Sequence, residues 1–386
     1  MRVPLLDLRR DTSLDAQLEA AFRRVLQSGH YILGPEAEAF ERACADYVGA
    51  RFALGVSSGT DALLLALMAA GVGPGDEVIC PTFTFFATAG TIARLGAKPV
   101  FVDIRPCCFN ADAAAIEEKL SARTKAVVPV HLFGQCAEMQ PIRRLCQERG
   151  VFVLEDAAQA FGATTEEGRA GALGHAAAFS FFPSKNLGAF GDAGLVTTDD
   201  AALAERMSLL RTHGAKPKYF HAAVGGNFRI DALQSALLAV KLPHLDGWTD
   251  RRQKNASLYR DLFSAYGWAA TPPRCWEAAP RPDAPILLPP HCRGRHIYNQ
   301  FVIRVPGEGR RDALRAHLAE RGVGTEVYYP VAMHQQACFA SLSPDDRQFP
   351  EATLACRETV ALPIFPELTE AEIDRVVSAI KEFVER

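Results

Sequence analysis

The sequence predicts an α/β fold: a larger domain built on a mostly parallel central sheet covered by helices, followed by a smaller C-terminal α/β domain. Three observations predict it. Short apolar runs alternate with longer helical ones from Arg51 to about Asp200, turn signals such as Gly73-Pro74-Gly75-Asp76 and Leu95-Gly96-Ala97 separate them, and a second strand-and-helix unit follows a Pro/Arg-rich stretch near the C-terminus. Strands that are apolar throughout, rather than alternating, belong to parallel sheets buried on both faces.

In chain order, Phe52-Ala53-Leu54-Gly55-Val56 reads as a strand leading into a helix from Thr60 to Ala70. The strand Glu77-Val78-Ile79-Cys80 leads to a helix from Ala87 to Leu95. Further strands are expected over Lys98 to Asp103, Ala126 to Val130 and Val151 to Leu154, the last ending in the acids Glu155-Asp156. After Asp231 a helix is expected from Ala232 to Leu242, and Pro243 stops it. Residues 272 to 290 read as a long surface loop, Ile297 to Arg304 as a strand and Arg311 to Arg321 as a helix. A boundary near Asp246, good to about ten residues, divides the chain into 1–246, with its N-terminal arm, and 247–386.

Bulk composition excludes several classes. The 386 residues are 48% apolar, and Lys+Arg of 42 against Asp+Glu of 45 leaves a net charge of -3, so there is no basic field for nucleic acid or an anionic membrane. The N-terminus lacks an apolar signal core and no stretch approaches a membrane span, which makes a cytoplasmic location the expectation. The ten cysteines show no Cys-x-x-Cys pair and no zinc spacing, so reduced, packing thiols and no metal site are expected.

The chemistry is concentrated in a few motifs. Between Ala126 and Ala215 there is one lysine, Lys185, flanked by Phe179, Phe181 and Phe182 before it and Gly188, Gly191 and Gly194 after it. Asp156 follows four apolar residues and should emerge at the carboxyl end of a buried strand, where open α/β sheets bind ligands. An acid for a pyridinium nitrogen and an amine for an aldehyde are the pair that holds pyridoxal phosphate. Asp156 is otherwise readable as the N-cap of a segment from Ala157 to Ala160, and Glu155 faces the opposite side of the strand. Gly55-Val56-Ser57-Ser58-Gly59 matches the hydrolase elbow G-x-S-x-G, yet Ser58-Gly59-Thr60 also opens a helix whose unpaired amides suit a phosphate, or is simply a capped helix start. Gly188-x-x-Gly191-x-x-Gly194 lacks the spacing of a dinucleotide loop. The aromatics of Pro81 to Thr88 follow a strand, where one ring could stack on a flat cofactor; spacing does not say which.

Taken together, Ser28 to Pro35, Ser57 to Leu63, Gly73 to Val78, Glu155 to Gln159, Ser180 to Gly188 and Gly226 to Arg229 resemble the sugar aminotransferases of the DegT/DnrJ/EryC1/StrS group, fold type I pyridoxal-phosphate enzymes, over nearly the whole chain. The resemblance implies that Gly59, Thr60 and Ser180 bind the phosphate, Phe85 stacks on the ring, Asp156 meets the ring nitrogen, Gln159 reaches the ring hydroxyl and Lys185 forms the covalent link. It implies a homodimer with shared active sites, in which Asn227 reaches the neighbouring subunit's phosphate. Tyr329 and His334, in the segment Gly324 to His334, resemble the part that approaches the sugar, or else pack a core. Some relatives carry a histidine at the lysine position and lack transferase activity; this chain keeps Lys185.

The implied reaction moves an amino group from an amino acid, glutamate in the family, to a nucleotide-linked keto-sugar. The segments Gly226 to Gln234, Phe182-Pro183-Ser184 and Leu242-Pro243 are closer to enzymes acting at C3 than at C4. Other readings are a 4-keto-sugar aminotransferase, a fold type I amino-acid lyase and a non-catalytic protein that binds pyridoxal phosphate as a regulator.

Overall fold

The computed structural model describes residues 2–274, 281–292, 294–342 and 345–386. Its first sheet comprises β1 (Phe52–Val56), β2 (Glu77–Pro81), β3 (Lys98–Val102), β4 (Thr124–Val127), β5 (Phe152–Asp156), β8 (Ala176–Ser180) and β9 (Gly194–Thr198); a small hairpin, β6 (Thr164–Thr165) with β7 (Gly168–Arg169), lies outside it. The strand order is β1-β9-β8-β5-β4-β2-β3. The four pairings from β8 to β3 are parallel, whereas β9 runs antiparallel to both of its neighbours.

Expected and observed elements differ at instructive places. Helices Asp15–Ser28 and Pro35–Val48 precede the first sheet, and the two helices expected next run Gly59–Ala69 and Phe86–Arg94, one residue earlier than the spacing suggests. β4 ends at Val127 because Pro129 has no amide to donate; Val130 rejoins only through an isolated bridge to Asp156. Strands β8 and β9 were not expected. Ala176-Ala177-Ala178 carries little strand propensity of its own; it is a strand because it pairs with β5 on one side and β9 on the other, with helix Gly59–Ala69 packed over Ala176 and Ala178. Residues 157–160 form a turn, not a helix.

The second sheet, β10 (Ala269–Ala270), β11 (Ile286–Leu287), β12 (Phe301–Arg304) and β13 (Thr359–Leu362), lies in that order with helices Arg310–Glu320 and Glu370–Val384 packed on it. β11 falls within the stretch expected as a loop, and of that stretch residues 275–280 lie outside the described residues. Around Asp246 there is no linker: helix Leu245–Tyr266 spans the region, and Asp246 is bonded by Tyr47 from one side and Arg295 from the other. The N-terminal segment does not stay with the residues that follow it. Val3 pairs with Val323 and is fully buried in the core of the second sheet. Conversely, Met333, Phe339, Phe349 and Ala352 join the core of the first. Among the described residues no helix is long and apolar enough to cross a membrane.

Candidate active site

The carboxyl ends of β1, β2, β5 and β8 open onto one cavity of about 470 Å³, of the size that encloses a small ligand. At its first wall β1 turns into helix Gly59–Ala69. Ser58 caps that helix by accepting from the amide of Asp61 at 3.0 Å, and the other first-turn amides have no intrahelical acceptor. Two glycines make the convergence possible. A Cβ on Gly59 would lie 2.6 Å from Cβ of Ser180 at the end of β8, and one on Gly194 at the start of β9 would lie 2.5 Å from the carbonyl of Ser58. The result is a small-residue concavity at a helix N-terminus, suited to an anion. Ser57 donates to the Asp61 carboxylate at 2.5 Å rather than to an imidazole, so the elbow reading finds no base.

Asp156 ends β5 and is 4% exposed. Its Oδ2 accepts from the Thr88 hydroxyl at 2.6 Å and its Oδ1 from the amide of Ala158 at 3.2 Å. Burial pushes this carboxyl up, and those two donors, with the charges of Lys185 and His131, pull it back. Glu155, on the opposite face, is fully buried and accepts from the amides of Gly171, Leu173 and Gly174 and from His131 Nε2, a structural hub behind the sheet.

Lys185 lies in the turn after β8, closed by its amide donating to Phe182 O at 2.8 Å, and its side chain is half-buried in the cavity wall. Burial lowers its amine to about 8, with Asp156 opposing the shift. Phe85 precedes helix Phe86–Arg94 and leaves its ring 57% exposed at the cavity, an apolar face that a flat ligand could cover. Gln159 is fixed in orientation: its Oε1 accepts from the amide of Phe133 at 2.7 Å, so its Nε2 donates to the Tyr329 hydroxyl at 3.1 Å. Tyr329 arrives from the C-terminal part of the chain and packs its ring 6.2 Å from Phe85 and 6.0 Å from Phe83.

Of the residues singled out in the sequence, Gly59, Thr60, Phe85, Asp156, Gln159, Ser180, Lys185 and Tyr329 line this cavity. Asn227 does not. It is exposed and accepts from Arg229 Nε at 2.9 Å. His334 does not either: it is buried, its Nδ1 2.7 Å from the Thr82 hydroxyl and its ring against Phe349, so it sits behind the β2 loop and outside this cavity. Sequence reasoning passed over Ser184, Asp192, Gln300 and Tyr328, which also line the cavity. Ser184 and Tyr328 adjoin named residues; Gln300, immediately before β12 of the second sheet, carried no signal.

The arrangement can hold an anion at the helix N-terminus, keep a heterocyclic nitrogen protonated at Asp156 and present an amine to an electrophilic carbon. Comparison with known proteins agrees with that chemistry. Residues 12–381 match the DegT/DnrJ/EryC1/StrS aminotransferase family. The chain is 46% identical to a pleiotropic regulatory protein of Geobacillus stearothermophilus, over 99% of each chain. It is 41% identical to the dTDP-3-amino-3,4,6-trideoxy-alpha-D-glucose transaminase of Streptomyces venezuelae, over 100% of this chain and 97% of that one. The crystal structure of S. venezuelae DesV in complex with a ketimine intermediate superposes with a TM-score of 0.91 at 41% identity, covering 100% of this chain and 99% of that one. The protein described here therefore belongs to the DegT/DnrJ/EryC1/StrS aminotransferase family.

Proposed function

We propose that this chain transfers the amino group of an amino acid, with glutamate as the donor, to C3 of a nucleotide-linked keto-sugar. It is a pyridoxal-phosphate-dependent sugar aminotransferase, and the observation that carries the residue assignment is the convergence of Lys185, Asp156 and the Ser58-Gly59-Thr60 helix start on one cavity. The residues fit the cofactor: Gly59, Thr60 and Ser180 would hold its phosphate, Asp156 its ring nitrogen, Gln159 its ring hydroxyl, Phe85 its face and Lys185 its aldehyde carbon. When bound there, pyridoxal phosphate supplies an electron sink for a carbanion and stores the amino group between the two halves of the reaction.

The protein's part is to position and to move protons. Lys185 Nζ, with its lowered basicity, takes the proton from the donor's Cα in the first half and returns a proton to the sugar carbon in the second, so one amine is base and acid in turn. Thr88 and the Ala158 amide donate to the Asp156 carboxylate and so oppose the upward push of its burial. Tyr329 and Tyr328 line the cavity from the C-terminal part of the chain, Tyr329 beside Phe85 and Gln159, which suits contact with a substrate bound against the cofactor. The 3-amino product in the name of the Streptomyces relative supports transfer at C3. Asn227, exposed and outside its own cavity, fits a role in the neighbouring subunit of a homodimer. The buried thiols Cys44, Cys80, Cys136 and Cys146 fit a reducing, cytoplasmic setting.

A regulatory reading is favoured by the name of the Geobacillus relative alone. One experiment separates the two. Glutamate added to the holoenzyme bleaches the absorbance of the lysine-linked cofactor, and a panel of nucleotide-linked 3- and 4-keto-sugars then yields, by mass spectrometry, one product in which oxygen is replaced by nitrogen. Lys185→Ala lowers both halves by about a thousandfold. Persistent absorbance with every amino acid overturns the transfer reading, and a 4-amino product overturns the C3 assignment alone.

A further inference from the structure

We propose that Thr88 is a positioning residue for the transfer reaction, its hydroxyl, backed by that of Thr84, holding the Asp156 carboxylate ionised and turned toward the cofactor's ring nitrogen. The proposal rests on the reading of Asp156 given above. Thr88 does not line the cavity, and its alternative is ordinary helix packing.

Direction is fixed by counting protons. A threonine hydroxyl has one to give. Thr88 gives it to Asp156 Oδ2 at 2.6 Å, so across the 3.0 Å contact between the two threonine oxygens Thr84 must be the donor. The chain therefore runs Thr84 to Thr88 to Asp156, every proton pointing at the carboxylate. A proton on Asp156 Oδ2 would have to reverse it. Donors linked in this way polarise one another, and a buried acceptor gains most. Water cannot replace them: Thr84 and Thr88 are each 1% exposed and Asp156 4%.

The next threonine of the same helix shows what packing alone does. Thr91 turns its hydroxyl back to the carbonyl of Ala87 at 2.9 Å, the usual helical arrangement, while Thr88 reaches out of its helix to a strand 68 residues away. The other titratable groups facing Asp156 are Lys185, His131, Cys80 and Tyr329; among the described residues, hydrogen bonds to its carboxylate oxygens come from Thr88 and Ala158. Removing the Thr88 hydroxyl leaves one neutral amide. The shared proton then moves from the ring nitrogen toward the carboxylate, and the electron sink weakens.

The test uses holoenzyme carrying pyridoxal phosphate labelled with nitrogen-15 in the ring. In Thr88→Val the ring nitrogen loses its proton at lower pH than in the wild type, the donor half-reaction slows by about tenfold or more, and cofactor affinity changes by less than about threefold. Thr88→Ser, which keeps the hydroxyl, restores both the titration and the rate, and Thr84→Val shows a smaller loss in the same direction. A Thr88→Val titration superimposable on the wild type overturns the proposal, as does a loss that Thr88→Ser shares. A wild-type ring nitrogen that is never protonated overturns the role of Asp156 itself, and with it the functional reading.

Discussion

At the scale of single residues, the two neighbouring acids at the end of β5 show how far local pattern reaches. Successive side chains of a strand face opposite sides, so Glu155 goes to a ring of backbone amides and Asp156 to the cavity. That division was legible. The partner that holds Asp156 was not, because nothing in the run from Pro81 to Thr91 distinguishes Thr88 from Thr82, Thr84 or Thr91. Lys185 was legible as a solitary amine, and its environment makes a prediction. With its amine lowered to about 8 from an ordinary 10.5, mainly by burial, the neutral nucleophile predominates above that pH. In cofactor-free enzyme the rate of covalent capture of pyridoxal phosphate, followed by absorbance, should rise through about pH 8 and level off above it. Asp156 opposes the shift, so Asp156→Asn should move the midpoint lower still. A midpoint near 10.5 in the wild type would contradict the burial seen here.

At the scale of elements, helix Glu370–Val384 carries the clearest local signal in the C-terminal half. Thr369 accepts from the amide of Glu372 while Glu372 accepts from that of Thr369, a complete capping box. What the sequence did not disclose is that Arg10 also grips Glu372, at 2.6 and 2.8 Å, and so ties the N-terminal segment onto the second core. The Arg10 guanidinium is the first cause that holds the Glu372 carboxyl down at about 2. A depressed carboxyl stabilises the fold fully above its unfolded value of about 4.3, and the contribution disappears as pH falls toward the folded value. Glu372→Gln keeps the capping geometry and loses the charge. It should cost about 1 kcal/mol in urea unfolding at neutral pH, with the gap to the wild type closing between about pH 4 and about pH 2. A gap independent of pH would assign the loss to packing instead. Strand β8 marks the opposite limit: its run of alanines, small enough for close approach, leaves no hydrophobic pattern to read.

At the scale of the whole molecule, the exposed apolar side chains Phe22, Leu26, Tyr31, Ile32, Phe190, Tyr219 and Phe220 suit a subunit interface. The proposed sharing of sites makes a sharp prediction. Lys185→Ala and Asn227→Ala, each impaired alone, form hybrid dimers in which one site has both native residues. An equimolar mixture, allowed to exchange subunits, should recover about a quarter of wild-type activity. If Asn227 serves its own chain, no composite site is native and mixing recovers nothing.

The sequence by itself determined the α/β class and singled out Lys185, Asp156 and the helix start at Ser58 as candidates that the structure brings to one cavity, because each depends on residues close along the chain whose spacing and polarity reflect one strand or one turn. Tertiary structure alone decided that β9 runs antiparallel, that Tyr329 and Gln300 return to complete the cavity, that His334 is buried behind it, and that Thr88 meets Asp156. These are contacts between distant segments, and which side chains meet there is set by how closely glycine and alanine let the layers pack, a quantity that no local periodicity records.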